Sequence, residues 1–426
     1  MRTLTLPATA ALSGTVTIPG SKSISNRVLL LAALSAGETR IRNLLDSDDI
    51  RHMCRALDTL GVRLVQEGDL WVVQGRDGPL VTAELDVHLD LGLAGTAYRP
   101  LAAALTAGRG SFVLDGTERM RERPVGPLVD GLRQLGAQIR YLGADGFPPI
   151  RVTGTGLNGG HVVMAGNLSS QFLTSLLMVA PLARDRVIVD IDGEQVSKPY
   201  LAMTIDLMGR FGVGVQHRDF QHFEISPATY TTPGSLLVEG DASSASYFLA
   251  AGAIAGTGVT VYGVGTTSVQ GDVAFVDVLE AMGAMVERSA DHISVRPGRL
   301  RGVDVDLNAI PDAAMTAAVL ALFAEGRTTI RNIYNWRVKE TDRLAAMSTE
   351  LRKLGATVVE GLDFLSITPP ERLVHATIDT YGDHRMAMCF SLACLGGTAV
   401  TIKDPDCVGK TFPTYFELFE SLRKPR

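Results

Sequence analysis

Apolar positions fall into one pattern six times along the chain. Each copy opens on a glycine or a small polar cluster. A run rich in leucine and alanine follows, then usually a glycine, then a β-type run of the kind that builds strands. The copies read PGSKSISNRVLLLAALSAGETRIRNL from Pro19, LAGTAYRPLAAALTAGRGSFVLDG from Leu93, and GNLSSQFLTSLLMVAPLARDRVIVDI from Gly166. They continue as GDASSASYFLAAGAIAGTGVTVYGV from Gly240, PDAAMTAAVLALFAEGRTTIRNI from Pro311 and GDHRMAMCFSLACLGGTAVTIKD from Gly382. Their starts lie 71 to 74 residues apart, longer than most solenoid repeats. The leucine–alanine runs are apolar on nearly every face, which predicts helices buried inside their domains.

A second, more amphipathic helix is expected in each unit, carrying Arg, Glu and Asp. It closes at Leu60-Gly61-Val62, Leu135-Gly136-Ala137, Phe211-Gly212-Val213, Met282-Gly283-Ala284 and Leu354-Gly355-Ala356. A glycine there suits a left-handed C-cap, and the run after it starts a strand. The sixth copy, around Phe412 to Leu422, ends after its second helix. Leu4 to Ile18 has strand character and is expected to complete that last unit. Six units suggest two similar α/β domains of three: residues 21–240, and 1–20 combined with 241–426.

Composition narrows the function. At 426 residues, 46% apolar and 20% charged, the chain has the profile of a soluble globular protein of two or three domains. Its net charge of -6 argues against a general nucleic-acid partner, which needs a basic face. Cys54, Cys389, Cys394 and Cys407 show no CxxC spacing, so reduced thiols in a cytoplasmic protein are expected. MRTLTLPATA lacks the layout of a signal peptide. No apolar run approaches the roughly 18 residues needed to span a membrane.

Each first helix begins with residues that cap N-termini and leave backbone N–H groups for an anion. A single such start is more often an ordinary cap. Basic residues beside many of them point further: Lys22 and Arg27 at the first start, Arg99 at the second, His384 and Arg385 at the sixth, with Arg123, Arg343 and Lys410 nearby in sequence. If these starts face a gap between domains, that gap is an anion trap. GSKS is not a nucleotide-binding P-loop, because, counting back from Gly20, Thr15 stands where the first glycine belongs.

PGSKSISNR, AGTAYRPLAAAL, RMRERP, NLSSQF, EGDASSASYF, PDAAMTAA, NWRVKETDRL, YGDHRMAM and PDCVGKTFPTYF resemble, in order, the motifs of the 5-enolpyruvylshikimate-3-phosphate synthase family, over essentially the whole chain. The resemblance implies two domains of three βαβαββ units each. It implies transfer of the enolpyruvyl group of phosphoenolpyruvate to the 5-hydroxyl of shikimate 3-phosphate, through a tetrahedral intermediate, with no metal and no organic cofactor. Lys22, Gly95, Arg123, Gln171, Arg343, Arg385 and Lys410 match positions that bind phosphoenolpyruvate. Lys22, Ser23, Arg27, Ser169, Ser170, Gln171, Ser197, Tyr200, Asp312, Asn335 and Lys339 match the shikimate 3-phosphate site. Asp312 and Glu340 match the acid–base pair, with Lys22 beside them and with Thr96 and His384 in support. Clustered cations are expected to hold Glu340 ionised between steps. The resemblance further implies a monomer and inhibition by glyphosate. One departure is visible: the family usually has asparagine in G-N-A-G-T, where this chain has Leu93.

Two other functions compete with this one. The UDP-N-acetylglucosamine enolpyruvyl transferases share fold and donor, but place a cysteine on the loop corresponding to Thr117–Arg123, and TERMRER has none. A non-catalytic, anion-sensing repeat protein would not need Asp312 and Glu340 beside the cations.

Overall fold

The structure is a computed structural model and describes residues 2–84 and 86–424. The chain divides into two compact units, Gly20–Val238, and Met1–Pro19 with Glu239–Arg426. The crossings fall just before the positions expected from the repeat starts. Gly240 N–H donates to Gly263 and Asp241 N–H to Pro19, which ties residues 239–241 to the second of these units. Val238 N–H donates instead to Arg42.

Gly20–Val238 contains three four-stranded sheets of one design. In the clearest, Val87–Asp90 runs parallel to Arg109–Asp115, which pairs antiparallel with Ile150–Thr155 and then Gln138–Tyr141. Helix Gly95–Ala107 joins the two parallel strands, and helix Gly126–Gln134 leads into the hairpin. This is one βαβαββ unit. Side chains alternate as a half-buried strand demands: Val87 and Leu89 are buried, His88 and Asp90 exposed. The third sheet repeats the order with Gly160–Ala165, Val187–Asp192, His222–Ile225 and Gln216–Arg218. The first sheet borrows its opening strand, Ser235–Leu237, from the far end of the unit, where it pairs with Glu38–Arg42.

The other unit applies the same rule with borrowed strands. Asp304–Asp306, Thr328–Arg331, Leu365–Thr368 and Thr357–Glu360 form an unbroken copy. In the sixth sheet Ala376–Ile378 and Val400–Lys403 are completed by Thr3–Leu6, antiparallel to the latter. The remaining N-terminal strand, Ala11–Thr17, does not join that sheet as expected. It lies parallel to Gly258–Tyr262 in the fourth sheet, and Arg423–Lys424 pairs along its outer edge. The fourth repeat has no strand of its own before its helix, so the N-terminal segment serves two sheets.

First-position helices are buried almost throughout. In Lys22–Leu34 every residue except Ser23 is buried, and in Ala242–Ile254 every residue except Ile254. Fully burying a leucine such as Leu29, Leu30 or Leu31 is worth about 1.5–3 kcal/mol. That apolar packing holds the polar first turns in place. The second-position helices end as the glycines demand: Gly283 and Gly355 take φ of 105° and 100°, a backbone that residues with a β-carbon rarely adopt. No helix among the described residues is long and apolar enough to cross a membrane.

Candidate active site

Within the unit that holds both termini, one buried guanidinium collects three carboxylates. Arg343 is 1% exposed at the start of helix Arg343–Lys353. Its Nε donates to Asp383 Oδ2 at 2.7 Å, Nη1 to Asp312 Oδ1 at 2.9 Å, and Nη2 to Glu340 Oε2 at 2.8 Å. Burial works against its charge, but Asp383, Glu340 and Asp312 more than offset that, so its pKa lies above the ordinary value. Asp312 is shared. Arg385 Nη2 donates to its other oxygen at 2.8 Å, and Lys339 Nζ lies 3.8 Å from Oδ1. Arg385 Nη1 also donates to the Tyr247 hydroxyl at 3.1 Å, and burial pushes that phenol's pKa well up, so it faces the guanidinium as a neutral group.

Local sequence explains these placements. Trp336 is fully buried and its indole N–H donates to the Pro311 carbonyl at 2.7 Å, fixing the residue before Asp312. Asp342 caps the Arg343 helix by accepting from Ala345 N–H, and Arg337 grips that cap in turn. Asp383 caps helix His384–Ser391 through the Arg385 N–H at 2.9 Å while holding the Arg343 side chain. His384 is buried, with Nδ1 3.4 Å from Asp383 Oδ1. Asn335 is buried on the turn Tyr334–Val338, and Lys410 is buried on the turn Pro405–Lys410, which packs against helix His384–Ser391.

The unit Gly20–Val238 offers a second set. Lys22 is buried at the start of its helix, with Nζ 3.6 Å from the buried carboxylate of Asp49. One turn on, Arg27 is 5% exposed and surrounded by neutral groups. Its Nε donates to Thr204 Oγ1 at 2.9 Å and Nη1 to the Ser23 carbonyl at 2.9 Å. Its Nη2 lies 3.4 Å from both Thr174 Oγ1 and the Tyr200 carbonyl. Among the described residues no carboxylate pairs with it, and burial lowers its pKa to about 10. Ser197, in left-handed backbone with φ 54°, turns the chain into the helix that carries Tyr200 and Thr204.

Beside this lies a pair of arginines over one glycine. A β-carbon on Gly95 would come within 2.5 Å of Arg99 Nη1 and 3.1 Å of both terminal nitrogens of Arg123. Arg99 Nη1 donates to Gln171 Oε1 at 2.7 Å, and Arg123 Nη1 to the Leu93 carbonyl at 3.2 Å. Ser169 caps the next helix through the Gln171 N–H, and Ser170 is its first residue. Thr96 accepts from Asn26 Nδ2 at 2.8 Å, tying the first two helix starts together. Like charges gathered at helix starts suit an anionic ligand.

The structure therefore joins Asp312, Lys339, Glu340, Arg343 and Arg385 in one network. It groups Lys22, Ser23, Arg27 and Tyr200 on facing helices, and Gly95, Arg123 and Gln171 around Arg99. Asp383, Asp49, Thr174, Thr204 and Tyr247 were not among the expected site residues, and Arg99 was expected only as a cation at the second helix start, with no substrate assigned to it. Among the described residues no group of three or more His, Cys, Asp or Glu side chains could hold a metal ion.

Two trios of βαβαββ units with cation-bearing helix starts define the enolpyruvyl transferase fold. An EPSP synthase structure from Acinetobacter baumannii matches with a TM-score of 0.82 and 26% identity, over 99% of this chain and 98% of that one. The enolpyruvyl transferase NikO from Streptomyces tendae matches with a TM-score of 0.78 at 19% identity, covering 99% and 97%, a likeness of fold alone. Within that class the chain belongs to the EPSP synthase (3-phosphoshikimate 1-carboxyvinyltransferase) family, whose model matches residues 6–419. A 3-phosphoshikimate 1-carboxyvinyltransferase of Shewanella amazonensis is 60% identical over 428 residues, covering 100% of both chains. One of Vibrio cholerae is 58% identical over 427 residues, again covering 100% of both.

Proposed function

We propose that this chain makes 5-enolpyruvylshikimate 3-phosphate with Asp312 and Glu340 as its acid–base pair. The reaction joins the 5-hydroxyl oxygen of shikimate 3-phosphate to C2 of phosphoenolpyruvate, and later breaks the bond from C2 to the phosphate oxygen. C3 gains a proton in the addition and loses one in the elimination. Asp312 takes the hydroxyl proton and passes it to the departing phosphate; Glu340 exchanges the proton at C3. The observation that carries this reading is the double use of Asp312 by Arg343 and Arg385. An incoming carboxylate or phosphate competes for both guanidiniums, which releases the Asp312 oxygens for the hydroxyl at the moment the donor binds.

Phosphoenolpyruvate is assigned to Lys22, Gly95, Arg123, Gln171, Arg343, Arg385 and Lys410. Shikimate 3-phosphate is assigned to Lys22, Ser23, Arg27, Ser169, Ser170, Gln171, Ser197, Tyr200, Asp312, Asn335 and Lys339, with Thr96 and His384 supporting the two sets. A buried arginine held only by neutral groups, as Arg27 is, suits a ligand that brings the missing negative charge. Glyphosate, which carries a phosphonate and a carboxylate, is expected to compete with phosphoenolpyruvate for the same cations. Action in the cytoplasm fits the four free thiols, and a monomer is what the family resemblance implies.

The test is isotopic. In deuterated water with both substrates, the native enzyme should place deuterium on C3 of the enolpyruvyl group. Glu340→Ala should stop that incorporation while still binding shikimate 3-phosphate; deuterium entering at the native rate would remove Glu340 from the role.

A further inference from the structure

Two turns along from Arg343, the same helix carries a buried carboxylate that the chemistry above does not use. Glu350 is 0% exposed. It accepts the Tyr381 hydroxyl at 2.7 Å, the Asp379 backbone N–H at 3.2 Å and Lys353 Nζ at 2.8 Å. Lys353 also reaches Asp379 Oδ2 at 2.8 Å, and Lys403 reaches Asp379 Oδ1 at 2.7 Å. All of these contacts except the Lys353–Glu350 pair, which lies within the helix, fasten the turn at 379–383. That turn is not relaxed backbone: Tyr381 has φ of 55°, a left-handed conformation uncommon for an aromatic residue, and Gly382 follows at 67°. Such backbone persists where surrounding contacts hold it.

The far end of the same turn is Asp383, which holds Arg343 and caps the helix of Arg385. Helix Arg343–Lys353 thus grips the turn twice, through Glu350 at one end and through Arg343 at the other. An apolar pair would fill the Glu350 space at least as well for stability. What the carboxylate adds is direction, since it fixes both a backbone N–H and a side-chain hydroxyl of the turn.

We infer that Glu350 and Tyr381 are positioning residues for phosphoenolpyruvate binding: they set the 379–383 turn so that Asp383 aims Arg343 and orients the first turn of the helix bearing Arg385. This rests on the reading that those two arginines bind phosphoenolpyruvate. Neither Glu350 nor Tyr381 touches the substrates. The effect should therefore appear in the affinity for one substrate and leave the chemical step nearly unchanged.

The experiment is steady-state kinetics on Tyr381→Phe, with Glu350→Gln and Arg385→Lys alongside. Tyr381 is 46% exposed, so removing its hydroxyl leaves the fold in place. Tyr381→Phe should raise KM for phosphoenolpyruvate roughly 2- to 12-fold, the span of one hydrogen bond. The value of kcat and KM for shikimate 3-phosphate should move less than about twofold, within the small change expected when no transition-state contact is lost. Glu350→Gln should shift KM in the same direction. Native KM for phosphoenolpyruvate in Tyr381→Phe, with or without a lower Tm, would overturn the inference, as would an equal loss in kcat and both KM values. Arg385→Lys separates the two readings. If it raises KM for phosphoenolpyruvate while Tyr381→Phe does not, only the positioning role fails; if it leaves that KM unchanged, the binding assignment itself fails.

Discussion

Arg343 and Asp312 meet at 2.9 Å, and the other oxygen of that same carboxylate meets Arg385 at 2.8 Å. One acid thus bridges two guanidiniums from two repeat units, the first on the second-position helix of the fifth, the second on the first-position helix of the sixth. Its neighbours Glu340 and Asp383 complete a group in which positive and negative side chains alternate. Removing any one member leaves a buried charge without its balance.

Asp312→Ala should therefore cost activity by about 10²–10⁴, the usual worth of a general acid–base group. The measurement is turnover at saturating substrates, with circular dichroism to show that the fold is intact. A variant that kept more than about a tenth of native turnover would remove Asp312 from the proton-transfer role.

Arg27 offers a test in which stability and binding move differently. Its pKa is lowered by burial to about 10, so the folded protein holds that proton less firmly than the unfolded chain. The unfolded state binds more protons there, so this group's contribution to stability improves as pH rises through about 10. At neutral pH its charge is a cost of the empty protein. Arg27→Met should lower affinity for shikimate 3-phosphate at least tenfold, the order lost when a charged partner is removed, with Tm unchanged or higher. A lower Tm with native affinity would show that Arg27 is there to hold the helices together.

Much of the fold could be read from residue pattern because its determinants are local. Gly61, Gly136, Gly212, Gly283 and Gly355 mark helix ends by the backbone they permit, and all five have positive φ. Residue pairs distant in sequence leave no such local mark. Asp383 reads as an N-cap in GDHR, and it is one, but its hold on Arg343 spans 40 residues. Asp49 reads as an acid in the first turn of a surface helix, yet it is buried against Lys22. Thr174 and Thr204 carry no sequence signal at all, since hydroxyls around a buried arginine resemble any polar residue on a helix. The N-terminal strand Ala11–Thr17 went to the fourth sheet because Gly258–Tyr262 lacked a parallel partner, a vacancy visible only once each unit's strands are counted.

Leu93 gives a third prediction. Its carbonyl accepts from Arg123 at 3.2 Å, so the backbone of the turn is engaged while the side chain brings no amide. Leu93→Asn should tighten phosphoenolpyruvate and glyphosate roughly 2- to 12-fold, the range for one added hydrogen bond. Inhibition constants measured side by side decide it, and unchanged values for both ligands would make Leu93 a packing residue only.

Enolpyruvyl transfer between the two substrates can be measured directly. Purified protein should be given phosphoenolpyruvate alone, then phosphoenolpyruvate with shikimate 3-phosphate, and released phosphate followed against time. Release only when both are present, in step with consumption of shikimate 3-phosphate and sharply reduced in Asp312→Ala, is the predicted result. Phosphate release that ignores shikimate 3-phosphate, or none with both substrates present, would contradict it.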